Sequence, residues 1–279
     1  AFDLLRNLAD QPSMVAGLKP PLVYDNVFNA RALGLCHDAA VAGGLGHACF
    51  AADAPKAPIE HALSSFLSEL GDAEYGHVEY WARQEWKHIE AHADVDETAA
   101  AAGGALRYPT TGHVLYLRVG SEVRGPTCVW SDRALARGAL TTVPAVAGRV
   151  LRFDGAATHA VPRPHDLWFL PFVKSGGRGD AFERSVVLFN TWPADAPPEG
   201  IGPSELAAPD DASALRCNAR DAWREAPARE VADDAAPIHG KVWLLGDAAR
   251  RGQAERTATL GFAPAVLDAL AEPERVTTV

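Results

Sequence analysis

Two residues able to bind a metal, His92 and Asp94, stand two positions apart in QEWKHIEAHADVDET, at the end of a stretch rich in aromatic side chains. On a β-strand, residues two apart project from the same face, so both side chains would reach one point if a strand extends to residue 94. An imidazole nitrogen and a carboxylate oxygen together suit a divalent first-row metal. A His-x-Asp pair is common by chance, so its meaning depends on a third ligand.

His159 is the best candidate for that third ligand. It lies in VPAVAGRVLRFDGAATHAVPRP, residues 143–164, where the pattern predicts a strand, a turn at an Asp-Gly pair and a second strand that begins at the histidine. Two histidines and one carboxylate leave coordination positions open, which is the arrangement of non-haem Fe(II) oxygenases. The sequence therefore predicts a metal site formed by His92, Asp94 and His159.

Other histidines fit such a site less well. His88 and His92 are four positions apart, which suits zinc on a helix, but their order, His-x-Glu-x-His, matches neither HExxH nor HxxEH. His165 is an alternative third ligand, although it follows two prolines and the residues around it do not form a pattern like the one around His159. His113 begins a predicted strand, and we expect it to be a capping or surface residue.

The predicted secondary structure that positions these residues changes from helix to strand along the chain. Two alanine-rich helices are predicted in the N-terminal part, over residues 25–43 and 58–72. Asp25 or Asn26 is the predicted N-cap of the first helix, and Gly71 is the stop signal of the second. From about residue 77 the apolar residues alternate, which is the period of a strand.

Short β-rich runs separated by Gly, Pro and Asp make up the rest of the predicted core. They cover residues 77–94, 113–119, 127–130, 148–154, 167–173, 185–192 and 241–247. Many short strands of this kind indicate a mainly β protein with flanking helices (α+β), built as a sandwich or jelly roll. We expect one overall domain with a helical flank at 1–75, a catalytic core at 76–192 and an extension at 193–279.

Composition and charge exclude several classes of protein and of partner. The 279 residues, 48% hydrophobic and 22% charged, are typical of a globular protein that can bury a sizeable core. The formal charge of −10 argues against nucleic acid or an anionic membrane as a partner. Because no apolar run approaches the roughly 18 residues that span a bilayer, we expect a soluble, intracellular protein. The chain begins with Ala1, so a removed leader stays open.

The segment around His159 carries a family resemblance. Its pattern Pro-x-x-x-Gly-Arg-Val-Leu-x-Phe-Asp-Gly-x-x-x-His-x-Val resembles the second half of the prolyl-hydroxylase-like Fe(II)/2-oxoglutarate-dependent oxygenases. HVLYLRVGSEVRGPTCVW, residues 113–130, is similar to their Tyr-Leu strand, Gly-containing turn and Thr, and HAD at 92–94 matches their His-x-Asp motif. The resemblance covers roughly residues 75–192. It implies a double-stranded β-helix, or jelly roll, as the core.

The resemblance also implies cofactors and their receptors. Fe(II) would bind to the three predicted ligands, 2-oxoglutarate would chelate the iron, and O2 would take a remaining position. Arg184 resembles the arginine that pairs with the far carboxylate of 2-oxoglutarate, and Tyr116 resembles the hydroxyl that helps to hold it. Arg184 stands 25 residues after His159, a longer spacing than the family usually shows, which implies an inserted hairpin or longer strands. Other candidate anchors are Arg163, Arg178 and Lys174.

Three functions remain open at this point. The resemblance implies an oxygenase that hydroxylates a C–H bond of an amino acid, a peptidyl side chain or a small metabolite and releases succinate and CO2. The same three ligands could instead serve a cupin-like metalloprotein that works without 2-oxoglutarate. The third alternative is a non-catalytic jelly-roll binding module. A buried arginine opposite the metal separates the first function from the second, and the oligomeric state is not predicted.

Overall fold

Alternating apolar side chains place most of the described chain in two sheets that face each other. The structure, a computed structural model, describes residues 18–44, 46–71, 75–85, 89–103, 105–121, 123, 126–131, 140–161, 183–227, 229–230, 238–243, 257–262 and 276–278. The α-helices are α1 (Ala30–Gly43), α2 (Pro58–Leu70) and α3 (Glu97–Ala101), and 3-10 helices cover Ala212–Leu215 and Arg220–Ala222. The strands are β1 (Leu22–Asp25), β2 (Ala48–Ala51), β3 (His77–Glu85), β4 (Ile89–His92), β5 (Thr111–Val119), β6 (Thr127–Trp130), β7 (Leu140–Val143), β8 (Val150–Asp154), β9 (His159–Val161), β10 (Glu183–Trp192), β11 (Arg224–Glu225), β12 (Arg229–Glu230), β13 (Ile238–Trp243), β14 (Thr257–Phe262) and β15 (Thr277–Thr278).

The chain passes back and forth between the two sheets. The large sheet has the order β11-β1-β8-β5-β10-β3-β2, and the second sheet has the order β12-β15-β7-β6-β9-β4-β13-β14. From β3 the chain crosses to β4, returns with β5, crosses to β6 and β7, returns with β8, crosses to β9 and returns with β10. This alternation is a double-stranded β-helix, so the predicted jelly-roll fold class is confirmed.

The central strands of the large sheet are covered on both faces. On β10, Val187 and Phe189 pack towards α1 and α2, whereas Val186 packs towards the second sheet. All three side chains are buried, and burial of each contributes roughly 1.5–3 kcal/mol to stability. A strand of this kind needs apolar residues at odd and even positions alike. A polar residue on its inner face is therefore a sign of a site rather than of solvent.

Helix α1 begins later than the sequence predicts. Its N-cap is Asn29, whose side-chain oxygen accepts a hydrogen bond from the N–H of Ala32 at 2.9 Å. The prediction of Asp25 or Asn26 as the N-cap is wrong because residues 22–25 form β1, which pairs with β8 and β11. Pairing across strands outweighs the helical pattern of these side chains.

Helix α2 agrees closely with the prediction. It begins at Pro58, and Gly71, with a left-handed φ of +77°, ends it as a C-cap. Leu63, Phe66 and Leu67 are completely buried on the side that packs against the large sheet. Among the residues that the structure describes, no helix is both long and apolar enough to span a membrane.

The predicted strand at 77–94 is two strands that belong to different sheets. β3 ends at Glu85 in the large sheet, and β4 begins at Ile89 in the second. The expectation that the strand reaches residue 94 is also wrong, because β4 ends at His92 and Asp94 lies in coil just beyond it. Alternation continues through both strands, and a period of two does not indicate to which sheet a strand belongs.

Several outer strands differ from the prediction. The sequence does not predict β1, β2 or β7, and the first two join the large sheet, so the N-terminal region supplies strands as well as helices. The strand predicted at 241–247 corresponds to β13, Ile238–Trp243, which pairs with β4. The strand predicted at 167–173 lies outside the described residues.

Candidate metal centre

β4 and β9 bring the two predicted histidine ligands side by side. His92 and His159 stand directly opposite each other in this antiparallel pair, and their ring centroids are 4.4 Å apart. The Asp94 Oδ1 atom lies 3.5 Å from Nε2 of His92 and 3.8 Å from Nε2 of His159. One donor atom from each side chain fits in a group in which no two are more than 4.8 Å apart. The three residues predicted as metal ligands therefore converge.

The protonation states of this group suit a metal. Burial, together with the neighbouring His92, lowers the pKa of His159 to about 4, although Asp94 acts in the opposite direction. Burial alone would raise the pKa of Asp94, but the two imidazoles and the N–H of Asn190 hold it well below its usual range. At neutral pH, His159 is therefore neutral and Asp94 is ionised, which are the forms that bind a metal.

The orientation of His159 is set by the turn that precedes β9. The Asp154 side chain accepts a hydrogen bond from the N–H of Ala156 at 3.0 Å, which closes the predicted Asp-Gly turn. Nδ1 of His159 lies 3.2 Å from the carbonyl oxygen of Ala157, and the ring of Phe153 packs beside it at 4.9 Å. If Nδ1 carries the proton and donates to that carbonyl, Nε2 is left to face Asp94 and a metal.

A cavity of about 210 Å³ opens beside His92 and Asp94. Glu79, Trp81 and Arg83 alternate along β3 and form one of its walls. The imidazole of His47 stacks on Trp81 with ring centroids 4.7 Å apart, and its side chain is 46% exposed at the mouth. The Nε atom of Arg83 is buried and has no hydrogen-bond partner among the described residues. The metal group thus faces a small open pocket with one guanidinium in its wall.

A second guanidinium, that of Arg184, lies fully inside the fold. The residue is 2% exposed, and its Nη2 donates a long hydrogen bond of 3.4 Å to the hydroxyl of Thr127. The guanidinium carbon lies 5.4 Å from the ring centroid of Tyr116, whose hydroxyl is 2.7 Å from the same threonine oxygen. Burial lowers the pKa of Arg184, and Tyr116 partly counteracts this effect.

Arg184 lacks an anionic partner in the part of the chain that the structure describes. No described carboxylate forms an ion pair with it, and its buried Nε atom has no hydrogen-bond acceptor. A buried unpaired cation costs several kcal/mol, on the order of the desolvation penalty of one ion. A guanidinium in this position is therefore suited to an anionic ligand, and a carboxylate fits its planar fork.

The Arg184 group lies close to the metal group along β6. Thr127 and Val129 share one face of this strand, and Val129 stands opposite His159. Two strand residues span about 7 Å. In a fully extended five-carbon diacid, the two carboxyl carbons lie about 5 Å apart. A small dicarboxylate is thus of the right length to reach from one group to the other.

The other candidates do not join this site. His113, expected to be a capping or surface residue, is instead 1% exposed, with its ring stacked on Phe189 at 4.3 Å between centroids. The prediction is wrong because α2 covers the outer face of β5, where this histidine lies. The remaining alternatives lie outside the described residues, namely His88, Arg163, His165, Lys174 and Arg178.

Comparisons with known proteins give only distant similarities. No protein-family model and no curated protein matches this chain. The chain is similar to a solved structure of HygX from Streptomyces hygroscopicus with iron bound (14% identity, 68% of this chain, 92% of that chain, TM-score 0.41). It is also similar to a Pseudomonas putida prolyl-4-hydroxylase (12% identity, 68% and 90%, TM-score 0.42) and to EctD from S. alaskensis (14% identity, 71% and 82%, TM-score 0.38).

Sequence reasoning gives no role to Thr127, and it misses Asn190 and the wall of the pocket on β3. Their contacts join residues that are far apart in the chain, such as Asn190 and Asp94, 96 positions apart. One signal was available. Glu79 and Arg83 are polar residues that alternate with apolar ones on a strand flanked by other predicted strands, and the inner face of such a strand borders either core or a pocket.

Proposed function

We propose that this protein is a non-haem Fe(II)- and 2-oxoglutarate-dependent dioxygenase. The observation that carries the proposal is the pairing of two groups inside one jelly roll. One is the open set of metal donors formed by His92, Asp94 and His159, and the other is the buried guanidinium of Arg184, with which no described carboxylate pairs. A metal alone would explain the first group, whereas an anion that also binds the metal would account for both.

The donor set fits Fe(II). Two imidazoles and one carboxylate are the ligands of the facial triad that leaves three positions of an octahedral metal open. Among the described residues, the group contains no fourth histidine, cysteine or acidic side chain that would close it. His92, Asp94 and His159 would hold the iron, and the cavity beside them gives access to its open side.

The Arg184 group fits the far carboxylate of 2-oxoglutarate. In our proposal the guanidinium pairs with that carboxylate, and one hydroxyl of the bonded pair Tyr116 and Thr127 donates to it, because the other donates within the pair. When bound, iron and 2-oxoglutarate together supply the oxidation of a substrate C–H bond by O2, with release of succinate and CO2. The protein itself would hold the iron and 2-oxoglutarate in position and exclude water from the buried end of the site at Arg184.

The substrate occupies the open pocket in this proposal. Its volume of about 210 Å³ is below the roughly 300–1,000 Å³ typical of sites for drug-sized ligands. A small metabolite, a free amino acid or one side chain of a peptide is of suitable size. Hydroxylation is the outcome we propose, and residues 76–192 form the catalytic core.

The experiment measures succinate formed from 2-oxoglutarate with and without added Fe(II), in the absence of any substrate. The native protein should show slow, iron-dependent turnover. The variants His92→Ala and His159→Ala should lose it, because each removes a metal ligand. The variant His61→Ala is the matched control, since this histidine lies on α2 outside the pocket.

Both alternatives predict no succinate in this assay, and Fe(II) binding separates them. A metalloprotein that works without 2-oxoglutarate would bind Fe(II) through His92 but release no succinate. A binding module would show no iron-dependent turnover at all. Either result from a folded native protein would contradict the proposed function.

A further inference from the structure

A chain of hydrogen bonds connects the Asp94 carboxylate to the large sheet. Nδ2 of Asn190 donates to Oδ2 of Asp94 at 3.2 Å and to Oε2 of Glu79 at 3.5 Å. Nε1 of Trp192 donates to the same Glu79 oxygen at 3.0 Å. Glu79, Asn190 and Trp192 are all at least 94% buried, so water competes little for these bonds.

The register of the sheet places these residues together. Asn190 on β10 is directly opposite Glu79 on β3, so the two side chains share the inner face. Trp192 lies two residues further along β10 on the same face. Since β3 and β10 are paired over most of their length, the position of the Asn190 amide is fixed by the backbone of two central strands.

The direction of each hydrogen bond follows from chemistry. Asn190 lies between two carboxylates, and only its NH2 end can donate to both, whereas its carbonyl end would face two anions. The indole of Trp192 is a donor only. Glu79 and Asp94 must therefore both accept.

These contacts distinguish the two oxygens of Asp94. Oδ2 is bonded to Asn190, whereas Oδ1 lies 3.5 and 3.8 Å from the Nε2 atoms of His92 and His159. We infer that Asn190, anchored by Glu79, is a positioning residue that keeps Asp94 as a one-oxygen ligand. This inference rests on the proposed function, because it concerns the same metal.

The consequence is an additional open position on the metal. A carboxylate that binds through both oxygens uses two positions, and the bond from Asn190 holds Oδ2 away from the metal. Glu79 matters because its charge-assisted bond fixes the amide that holds Asp94. Partners of this kind orient metal ligands, and their loss commonly weakens metal binding by about 10- to 100-fold.

The test compares Mn(II) affinity in variants of the full chain, measured from the electron paramagnetic resonance signal of free Mn(II). Asn190→Ala removes both hydrogen bonds, and Glu79→Gln keeps the volume and an acceptor oxygen for both donors but removes the charge that strengthens their hydrogen bonds. Thr191→Val is the matched control. It removes a partly buried hydrogen bond of 2.6 Å to Thr111 at the next residue of β10 without touching Asp94.

We expect Asn190→Ala to raise the Mn(II) Kd by about tenfold or more and Glu79→Gln by a smaller factor. Thr191→Val should stay within about twofold of the native value. The visible absorption of bound Co(II) should change in Asn190→Ala, because the coordination by Asp94 changes, and should be the same in Thr191→Val and the native protein.

Two results would overturn the inference, and they are distinguishable. If the native protein binds Mn(II) and both Asn190→Ala and Glu79→Gln match its Kd and its Co(II) spectrum, the positioning role fails while the proposed function stands. If the native protein binds neither Mn(II) nor Co(II), the proposed metal site fails, and the positioning role fails with it.

Discussion

Replacement of Arg184 by methionine should leave the protein stable but deprive it of 2-oxoglutarate. In most proteins, truncation of a buried arginine is destabilising because the arginine has a partner. Arg184 is 2% exposed, no described residue accepts a hydrogen bond from its Nε, and its hydrogen bond to Thr127 is long. Methionine keeps much of the volume and removes a buried charge.

The expected losses of stability and of 2-oxoglutarate binding differ in size. Without ligands, loss of the cation–π contact with Tyr116 costs about 0.5–2 kcal/mol, and removal of an unpaired buried cation offsets this. We therefore expect the free energy of unfolding of Arg184→Met to be at most about 1 kcal/mol below that of the native protein. Loss of a buried partner of a carboxylate costs about 2–5 kcal/mol in binding, which raises the 2-oxoglutarate Kd about 30- to 5,000-fold.

Two measurements on Mn(II)-loaded protein and on the metal-free chain check these values. Calorimetry gives the 2-oxoglutarate Kd, and denaturant titration gives the free energy of unfolding. At 100 times the native Kd, 2-oxoglutarate should stabilise the native protein by about 2.7 kcal/mol. A variant with 30-fold weaker binding should gain only about 0.9 kcal/mol at that concentration.

Arg149 is the matched control because it is a buried arginine with a partner. Its guanidinium donates to both oxygens of Asp25, at 2.8 and 3.0 Å. Arg149→Met should lower the free energy of unfolding by about 2–4 kcal/mol, less than a fully buried pair because Asp25 is partly exposed. Its 2-oxoglutarate Kd should be unchanged. If Arg184→Met keeps a 2-oxoglutarate Kd within about threefold of native, another cation is the anchor and the reasoning is refuted.

Three further changes give predictions of their own. Tyr116→Phe loses a hydroxyl 2.7 Å from Thr127 and should raise the 2-oxoglutarate Kd about fivefold, for a loss of about 1 kcal/mol, by calorimetry; an unchanged Kd contradicts its role. Burial holds the pKa of His113 in the folded protein well below 6.5. As the pH falls below 6.5, the unfolded chain therefore protonates at this histidine before the folded protein does, and the free energy of unfolding decreases. In His113→Met the fall should be less steep by up to about 1.4 kcal/mol per pH unit in denaturant titrations, and an identical slope would count against this account. Gly155→Ala would place Cβ in a steric clash with the carbonyl oxygen of Pro109 and should cost about 1–3 kcal/mol, so native stability would contradict the turn geometry.

The parts of the site that depend on local patterns were predictable from the sequence. An Asp-Gly turn followed by His159 at the start of a strand is set by neighbouring residues, and β9 begins at that histidine. The stop of α2 at Gly71 is local in the same way. The placement of Arg184 on β10 was predictable through the family resemblance, whereas its burial and its contact with Thr127 required the structure.

The parts that depend on contacts between distant segments were not predictable. The alternation from residue 77 gives no sign that β3 and β4 belong to different sheets, because period describes faces and not partners. Asn190 looks like one polar residue in an apolar strand, and its role comes from Glu79 on the paired strand and from Asp94, which lies just beyond β4 of the facing sheet. Asp25 fits a helix N-cap, but pairing of β1 with β8 decides its structure.

A crystal structure of the protein grown with Mn(II) and 2-oxoglutarate without oxygen tests the central proposal most directly. We predict one Mn(II) bound to Nε2 of His92, Oδ1 of Asp94 and Nε2 of His159, with 2-oxoglutarate chelating the metal and its far carboxylate on the guanidinium of Arg184. A metal bound elsewhere, a fourth protein ligand that closes the site, or a 2-oxoglutarate carboxylate held by a cation other than Arg184 would contradict it.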